Sequence, residues 1–267
     1  MDLIRPIARF LFAHPRPARE KMRNVDDFVR RKLSLDDPWY QLILKMLEVP
    51  HRYFQGKRIL EVGCGLGGFC IKLSEEGANP IGLDVSRSAI QKAKYLAKRY
   101  DAHNNIEFII GDAQFLPFKD QSYQIVICSE TLEHIEDYEQ AFHEIVKVVE
   151  NSGQICITVP NLLSSMFPEY ITLLLIGQPQ YARKFLSVEK EHVFHYFKIK
   201  KLCSREDLKV IKIQSTDFLY LPPRIKKFLK IEHYLKIISD HIEDYLELHN
   251  LPLRFLGADI GLLARKM

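Results

Sequence analysis

Between residues 58 and 160 the apolar positions come in short runs, separated by stretches in which they recur every three or four residues. The runs at 58–62, 80–84, 106–110, 124–128 and 154–159 are too short for helices and predict buried strands. The segments 67–76, 86–100 and 137–149 carry helical spacing, and Asn151-Ser152-Gly153 reads as the stop that closes the last of them. Such alternation predicts βαβ units. The fold class is therefore α/β, a doubly wound and mostly parallel sheet with helices on both faces. Upstream, Trp39, Leu42, Ile43, Met46 and Leu47 share one face of a helix that Asp37 can cap and Pro38 can begin, and it is expected to pack at the edge of the domain. Beyond Pro160 the alternation weakens. Residues 160–207 read as a helical insertion, 209–219 as a strand, 224–248 as a long amphipathic helix and 259–265 as a final strand. The predicted organisation is an N-terminal arm and helix over 1–56 and a main domain over 57–267, with 160–207 and 222–250 as helical lid insertions.

Composition narrows this little, but charge placement adds a detail. A chain of 267 residues with 47% hydrophobic residues can bury one substantial core. No run approaches the length of a bilayer span, so a cytoplasmic location is expected. The net charge of +4 lies at the N-terminus. Residues 1–35 hold nine Lys/Arg against four Asp/Glu, while the remainder holds 29 against 30. Such an arm can touch an anionic surface, although a solvated helical extension is the favoured reading. Of the five cysteines, Cys128 and Cys156 sit within apolar runs and read as reduced packing residues.

The candidate chemistry begins at Arg58–Gly68, RILEVGCGLGG, a strand running into a glycine loop and a helix. Glycines at 63, 65, 67 and 68 let the backbone turn sharply and let a ligand lie against the main chain. Gly63, Gly65 and Gly68 fit a dinucleotide spacing, whereas Glu61, Gly63, Gly65 and Gly67 fit that of S-adenosylmethionine (SAM) sites. Asp84 follows Gly63 by 21 residues and ends the second strand, where an acid can accept from ribose hydroxyls. Asp112 ends the third. The fourth strand runs through Ser129 into Glu130, Glu133 and His134, which a helical turn starting near Ser129 would gather on one face.

In that order these motifs resemble the class I SAM-dependent methyltransferases, specifically those acting on small molecules, quinones and lipids. The likeness covers Lys57 to Asn161, with a looser match at the closing strand GADIGLLARK. It implies a Rossmann-like, seven-stranded sheet whose last strand is antiparallel. It implies that Glu61, Gly63, Cys64, Gly65 and Gly67 hold the methionine part of SAM, and that Asp84, beside Val85, takes the ribose hydroxyls. Asp112 would face the adenine amino group with the backbone of Ala113 nearby, and Ser129 and Glu130 would run beneath the methionyl end. The E-x-x-E-H of Glu130, Glu133 and His134 further resembles the metal-binding stretch of ubiquinone-pathway and small-RNA O-methyltransferases, with His192 or His195 as a further ligand. Acids in a first helical turn also stabilise its dipole with no metal, so a divalent ion is the disfavoured reading. His134 is a candidate general base by virtue of its ordinary pKa, and a packing role is the simpler one.

Two rivals stand beside a SAM-dependent methyltransferase. The first is a NAD(P)-dependent oxidoreductase. Glu61 argues against it, because a carboxylate about 5 Å from a pyrophosphate repels it by roughly 3 kcal/mol at an effective dielectric near 20. The second is an inactive methyltransferase-like binding protein. The acceptor is expected to be small or lipid-like, with peripheral membrane contact in view and nucleic acid less favoured. The apolar stripe Ile225, Phe228, Leu229, Leu235, Ile238 and Ile242, with Lys226, Lys227 and Lys230 beside it, motivates that expectation, although amphipathic helices more often bury such a stripe against their own domain.

Overall fold

The computed structural model describes residues 38–47, 53–102, 105–161, 192, 194–216 and 259–267. Helix α1 (Pro38–Leu47) is followed by β1 (Arg58–Val62), α2 (Gly68–Glu75), β2 (Asn79–Asp84), α3 (Arg87–Arg99) and β3 (Glu107–Ile110). Then come β4 (Tyr123–Ser129), a 3-10 turn (Leu132–His134), α4 (Tyr138–Val148), β5 (Val149–Pro160), α5 (Tyr196–Arg205), β6 (Leu208–Thr216) and β7 (Asp259–Lys266). The strands form one seven-stranded sheet in the order β3-β2-β1-β4-β5-β7-β6. β1 to β5 run parallel, and β7 pairs antiparallel with both β5 and β6.

Because both faces are covered, the central strands are apolar at nearly every position, and alternate residues feed two different cores. Leu60, Val62, Val126, Cys128, Ile155 and Ile157 pack with Phe142 and Ile145 of α4 and Ile199 and Leu202 of α5. On the other face Ile59, Ile125, Ile127, Cys156 and Leu263 pack with Leu42, Ile43 and Met46 of α1 and Phe69 and Leu73 of α2. Tyr40 stacks on Phe69 at 4.5 Å, joining α1 to α2, and α3 completes this layer through Ile90, Ala93 and Leu96 against Phe108. The helix expected at the edge of the domain thus lies across β5, β6 and β7 and closes the core. Gly261 lets it approach, since a Cβ there would meet the Leu42 side chain at 3.2 Å.

Three expectations need correction. The stop at Asn151-Ser152-Gly153 is part of β5, which begins at Val149 directly after α4. The turn-forming residues serve as an irregularity in the ladder, where the pairing moves from Tyr123↔Val149 to Ile125↔Gln154, and Ser152 takes a φ of +66°. Secondly, the helical turn foreseen from Ser129 shrinks to Leu132–His134, because Glu130 adopts a φ of +48° and breaks the helix before it starts. Thirdly, the end of the 160–207 insertion, expected only to extend the domain, contributes to its core. Phe194, Ile199, Leu202 and Cys203 are buried in the main core, and α5 packs on β6. The N-terminal arm, residues 162–191 and the amphipathic helix at 224–248 lie outside the described residues.

Candidate active site

The loop after β1 is drawn tight by its own amides. Gly63 N–H and Cys64 N–H both donate to Leu83 O, at 2.8 and 3.0 Å, and Gly67 N–H donates to Cys64 O at 2.8 Å. Gly65 N–H donates to Asp84 Oδ2 at 2.9 Å, and Ser86 N–H to Asp84 Oδ1 at 2.8 Å. Asp84 therefore sits at the carboxyl end of β2 with its carboxylate spanning the glycine loop and the start of α3. Two glycines are required for different reasons. Gly63 has a φ of +76°, and a Cβ on it would fall 2.2 Å from Thr131 Oγ1, so Thr131 occupies that volume. Gly65 has a φ of +52° and faces open space. The surface beside Asp84 is thus clear for a ligand to approach the backbone.

Glu61 and the residues level with it mark where the sheet changes character. On the face that carries α1, the rows Ile59-Ile125 and Ile127-Cys156-Leu263 are apolar. Toward the carboxyl edge the same face becomes polar, through Glu61, Ser129, Thr158, Asp259 and Gln214. Glu61, Thr158, Asp259 and Gln214 are all buried. Burial of so many polar groups at one end costs free energy unless they are hydrogen-bonded or meet a polar ligand. Glu61 Oε2 accepts from the Cys70 thiol at 2.9 Å, and Ser129 Oγ shares a 2.7 Å hydrogen bond with Thr158 Oγ1. Sequence reasoning missed Cys70, Thr158 and Asp259, because each reads as an ordinary member of a helix or strand until the register places it.

Asp112 stands at the end of β3 in a third arrangement. It accepts from Gln114 N–H at 2.9 Å and from the Gln114 side-chain amide at 3.1 Å to each oxygen. Gln114 had no signal in the sequence. Beside these acids two large apolar side chains stand in solvent, Val85 at 73% and Phe115 at 71% exposure. Ala113 is buried.

The residues grouped as metal ligands part company. Glu133 turns inward and is buried, while the next residue, His134, is 55% exposed with Nε2 3.6 Å from Glu133 Oε1. Glu130 lies before the turn in the left-handed conformation, so the three do not share a helix face. Among the described residues no three His, Cys, Asp or Glu side chains come together as a metal site. His192 instead fastens its segment to the turn, its N–H donating to Glu133 O at 2.6 Å and its Nε2 bonding Glu136 O at 2.9 Å. His195 caps α5, with Nδ1 accepting from Lys198 N–H at 3.4 Å. The thiols are inert in character. All five cysteines are free and buried. Burial, then the charge of Glu61, raises Cys64 far above the ordinary thiol value, and burial raises Cys156 to about 12.

The chain that carries this loop and the three acids at the ends of β1, β2 and β3 is similar to known proteins. The family described as a methyltransferase domain matches residues 54–173. Residues 54–173 of the chain thus resemble a methyltransferase domain. The demethylmenaquinone methyltransferase of Listeria welshimeri is 28% identical over 184 residues, covering 66% of this chain and 72% of that protein. The norajmaline N-methyltransferase of Rauvolfia serpentina is 31% identical over 102 residues, 38% of this chain, which spans about a third (35%) of that relative's length. A SAM-dependent methyltransferase from Mesorhizobium loti shares the fold, with a TM-score of 0.59 at 18% identity over 87% of this chain and 100% of that one. Among the described residues the chain has no helix long and apolar enough to cross a membrane.

Proposed function

We propose that this protein is a SAM-dependent methyltransferase that binds SAM along the carboxyl edge of β1, β2 and β3 and passes its methyl group to a small, hydrophobic acceptor. One observation carries the choice of cofactor: the amides of Gly63, Cys64, Gly65 and Gly67 are all committed within the protein. A pyrophosphate is held by loop amides of this kind, and these have no proton left to offer. SAM needs no such cradle. Its ammonium and sulfonium groups favour a nearby acid, and Glu61 lies at the polar edge of the sheet.

In this reading Glu61, Ser129 and Glu130 hold the methionine end, and Gly65 supplies the flat surface on which the ligand lies. Asp84 has lone pairs beyond those taken by Gly65 and Ser86, and these accept from the ribose hydroxyls. Asp112 accepts from the adenine amino group beside Ala113, and the exposed Val85 gives the base an apolar surface. When bound, SAM supplies a methyl carbon made electrophilic by its sulfonium. The protein's task is then to align the acceptor and exclude water, for which positioning is the main contribution. Where the acceptor must lose a proton, His134 stands at the turn beyond β4 with half its ring in solvent.

The acceptor class rests on the relatives, among them a demethylmenaquinone methyltransferase, and on the apolar stripe that the sequence carries over 225–242. Incubation with methyl-labelled SAM and fractionated cell extract tests it. Label is expected in the organic-soluble fraction. Label confined to protein or RNA would overturn the hydrophobic acceptor while leaving methyl transfer intact.

A further inference from the structure

Gln114 makes more contacts with the cofactor edge than any role in the sequence suggested. Its backbone N–H and its side-chain Nε2 both donate to Asp112, the side chain reaching Oδ1 and Oδ2 at 3.1 Å each. Its Oε1 accepts from the backbone N–H of Asp137 at 3.1 Å, and its own carbonyl accepts from Gln140 Nε2 at 3.3 Å. Asp137 is the N-cap of α4, its side chain accepting from Gln140 N–H at 3.0 Å. One turn further, Glu144 Oε2 accepts from Leu116 N–H at 3.0 Å in a buried contact.

The amide orientation is forced by this network. Turning it over would set Oε1 against the Asp112 carboxylate and the NH2 group against the Asp137 N–H, two repulsive contacts in place of two hydrogen bonds. Asp112 is thus held from one side by a donor that touches both its oxygens. The carboxylate has further lone pairs beyond those that Gln114 takes.

We propose that Gln114 is a positioning residue for cofactor recognition: it locks the Asp112 carboxylate as an acceptor for the exocyclic amino group of adenine and ties that acceptor to the N-terminus of α4. This rests on the SAM reading above. Its consequence is selectivity for a 6-amino over a 6-oxo purine, because a carboxylate that cannot rotate meets an amino group with a hydrogen bond and an oxo group with repulsion. Gln114→Glu keeps the shape but sets a second carboxylate against Asp112, and Gln114→Ala removes the clamp.

The test is binding of S-adenosylhomocysteine and S-inosylhomocysteine, which differ at that position and in the N1 proton that the 6-oxo form carries, to the wild-type protein, Gln114→Glu, Gln114→Ala and Asp112→Asn, with thermal unfolding of each as a folding control. The wild type should prefer the adenosyl compound by about tenfold or more. Both Gln114 variants should lose most of that preference, chiefly through weaker adenosyl binding, and Asp112→Asn should lose it altogether. A folded Gln114 variant that weakens both compounds equally has lost only structure, and that result overturns the proposal. If Asp112→Asn loses the preference and both folded Gln114 variants keep it, the proposal falls and the SAM reading stands. If the wild type binds neither compound, or Asp112→Asn keeps the preference, the adenine contact is wrong and the proposal falls with it.

Discussion

The Cys70 thiol donates to Glu61 Oε2 at 2.9 Å, so the acid nearest the glycine loop is oriented by the first turn of the helix that follows it. Both groups are buried. Removing the donor costs Glu61 one buried hydrogen bond, a loss worth about 1–3 kcal/mol. Cys70→Val should therefore lower both folding stability and SAM affinity, while Cys70→Ser, which restores an O–H donor, should recover most of each. Denaturant melts and calorimetry check this, and equal behaviour of the two variants would remove the bond from any role.

The two loop glycines should respond differently to alanine. At Gly63 the added methyl meets Thr131 at 2.2 Å and the backbone is left-handed, so Gly63→Ala should destabilise the protein severely. At Gly65 the space is open and only the backbone term applies, about 1–2 kcal/mol. Gly65→Ala should thus fold and yet lose cofactor affinity, because its methyl projects where the ligand would lie. Normal SAM affinity in a folded Gly65→Ala protein would place the ligand elsewhere.

Stability should fall as the solution becomes alkaline. Burial holds the Cys70, Cys128 and Cys156 thiols well above their ordinary value of 9.0. Above pH 9 the unfolded chain releases thiol protons that the folded protein keeps, so rising pH favours unfolding. The slope is at most ~1.4 kcal/mol per pH unit for each such thiol, and the stabilisation is complete below pH 9. Urea melts between pH 8 and 10.5 should show this decline, and Cys128→Ala with Cys156→Ala should flatten it. A stability that does not change over that range would show that these thiols ionise freely.

Far from the glycine loop, Lys266 Nζ donates to three carbonyls where α4 gives way to β5: Val146 O at 2.8 Å, Lys147 O at 3.3 Å and Val149 O at 2.9 Å. These belong to the group of acceptors that a helix end leaves without partners. Lys266→Met keeps the stem and removes the ammonium, and should cost about 1–3 kcal/mol with cofactor affinity unchanged. An unchanged melting temperature would mean that water serves these carbonyls as well.

How far the sequence could be read follows from these particulars. Strands β1 and β2 were legible to within a residue because runs such as Ile59-Leu60 and Ile81-Leu83 are apolar on both faces and are followed at once by turn chemistry. Glu130 was not, since spacing i, i+3, i+4 presumes helical backbone, and nothing in the residue type announces a φ of +48°. Asn151-Ser152-Gly153 misled for a related reason: turn residues favour left-handed backbone, and a strand irregularity uses that preference as well as a helix end does. The stripe Ile199, Leu202 and Cys203 could not say which surface it covers until β6 lay beneath it. Asp84 and Asp112 were legible as acids at strand ends, but their partners were not, because Gly65 is 19 residues from Asp84 and no local pattern links a loop amide to a carboxylate at that distance.

The cofactor assignment meets its most direct test in titration calorimetry of the wild-type protein and Asp84→Ala with SAM and, in parallel, with NADH. SAM should bind the wild type, Asp84→Ala should weaken that binding by roughly 1.5–3 kcal/mol, and NADH should give no comparable heat. Binding of NADH with SAM-like affinity, or SAM affinity unaltered by Asp84→Ala, would contradict it.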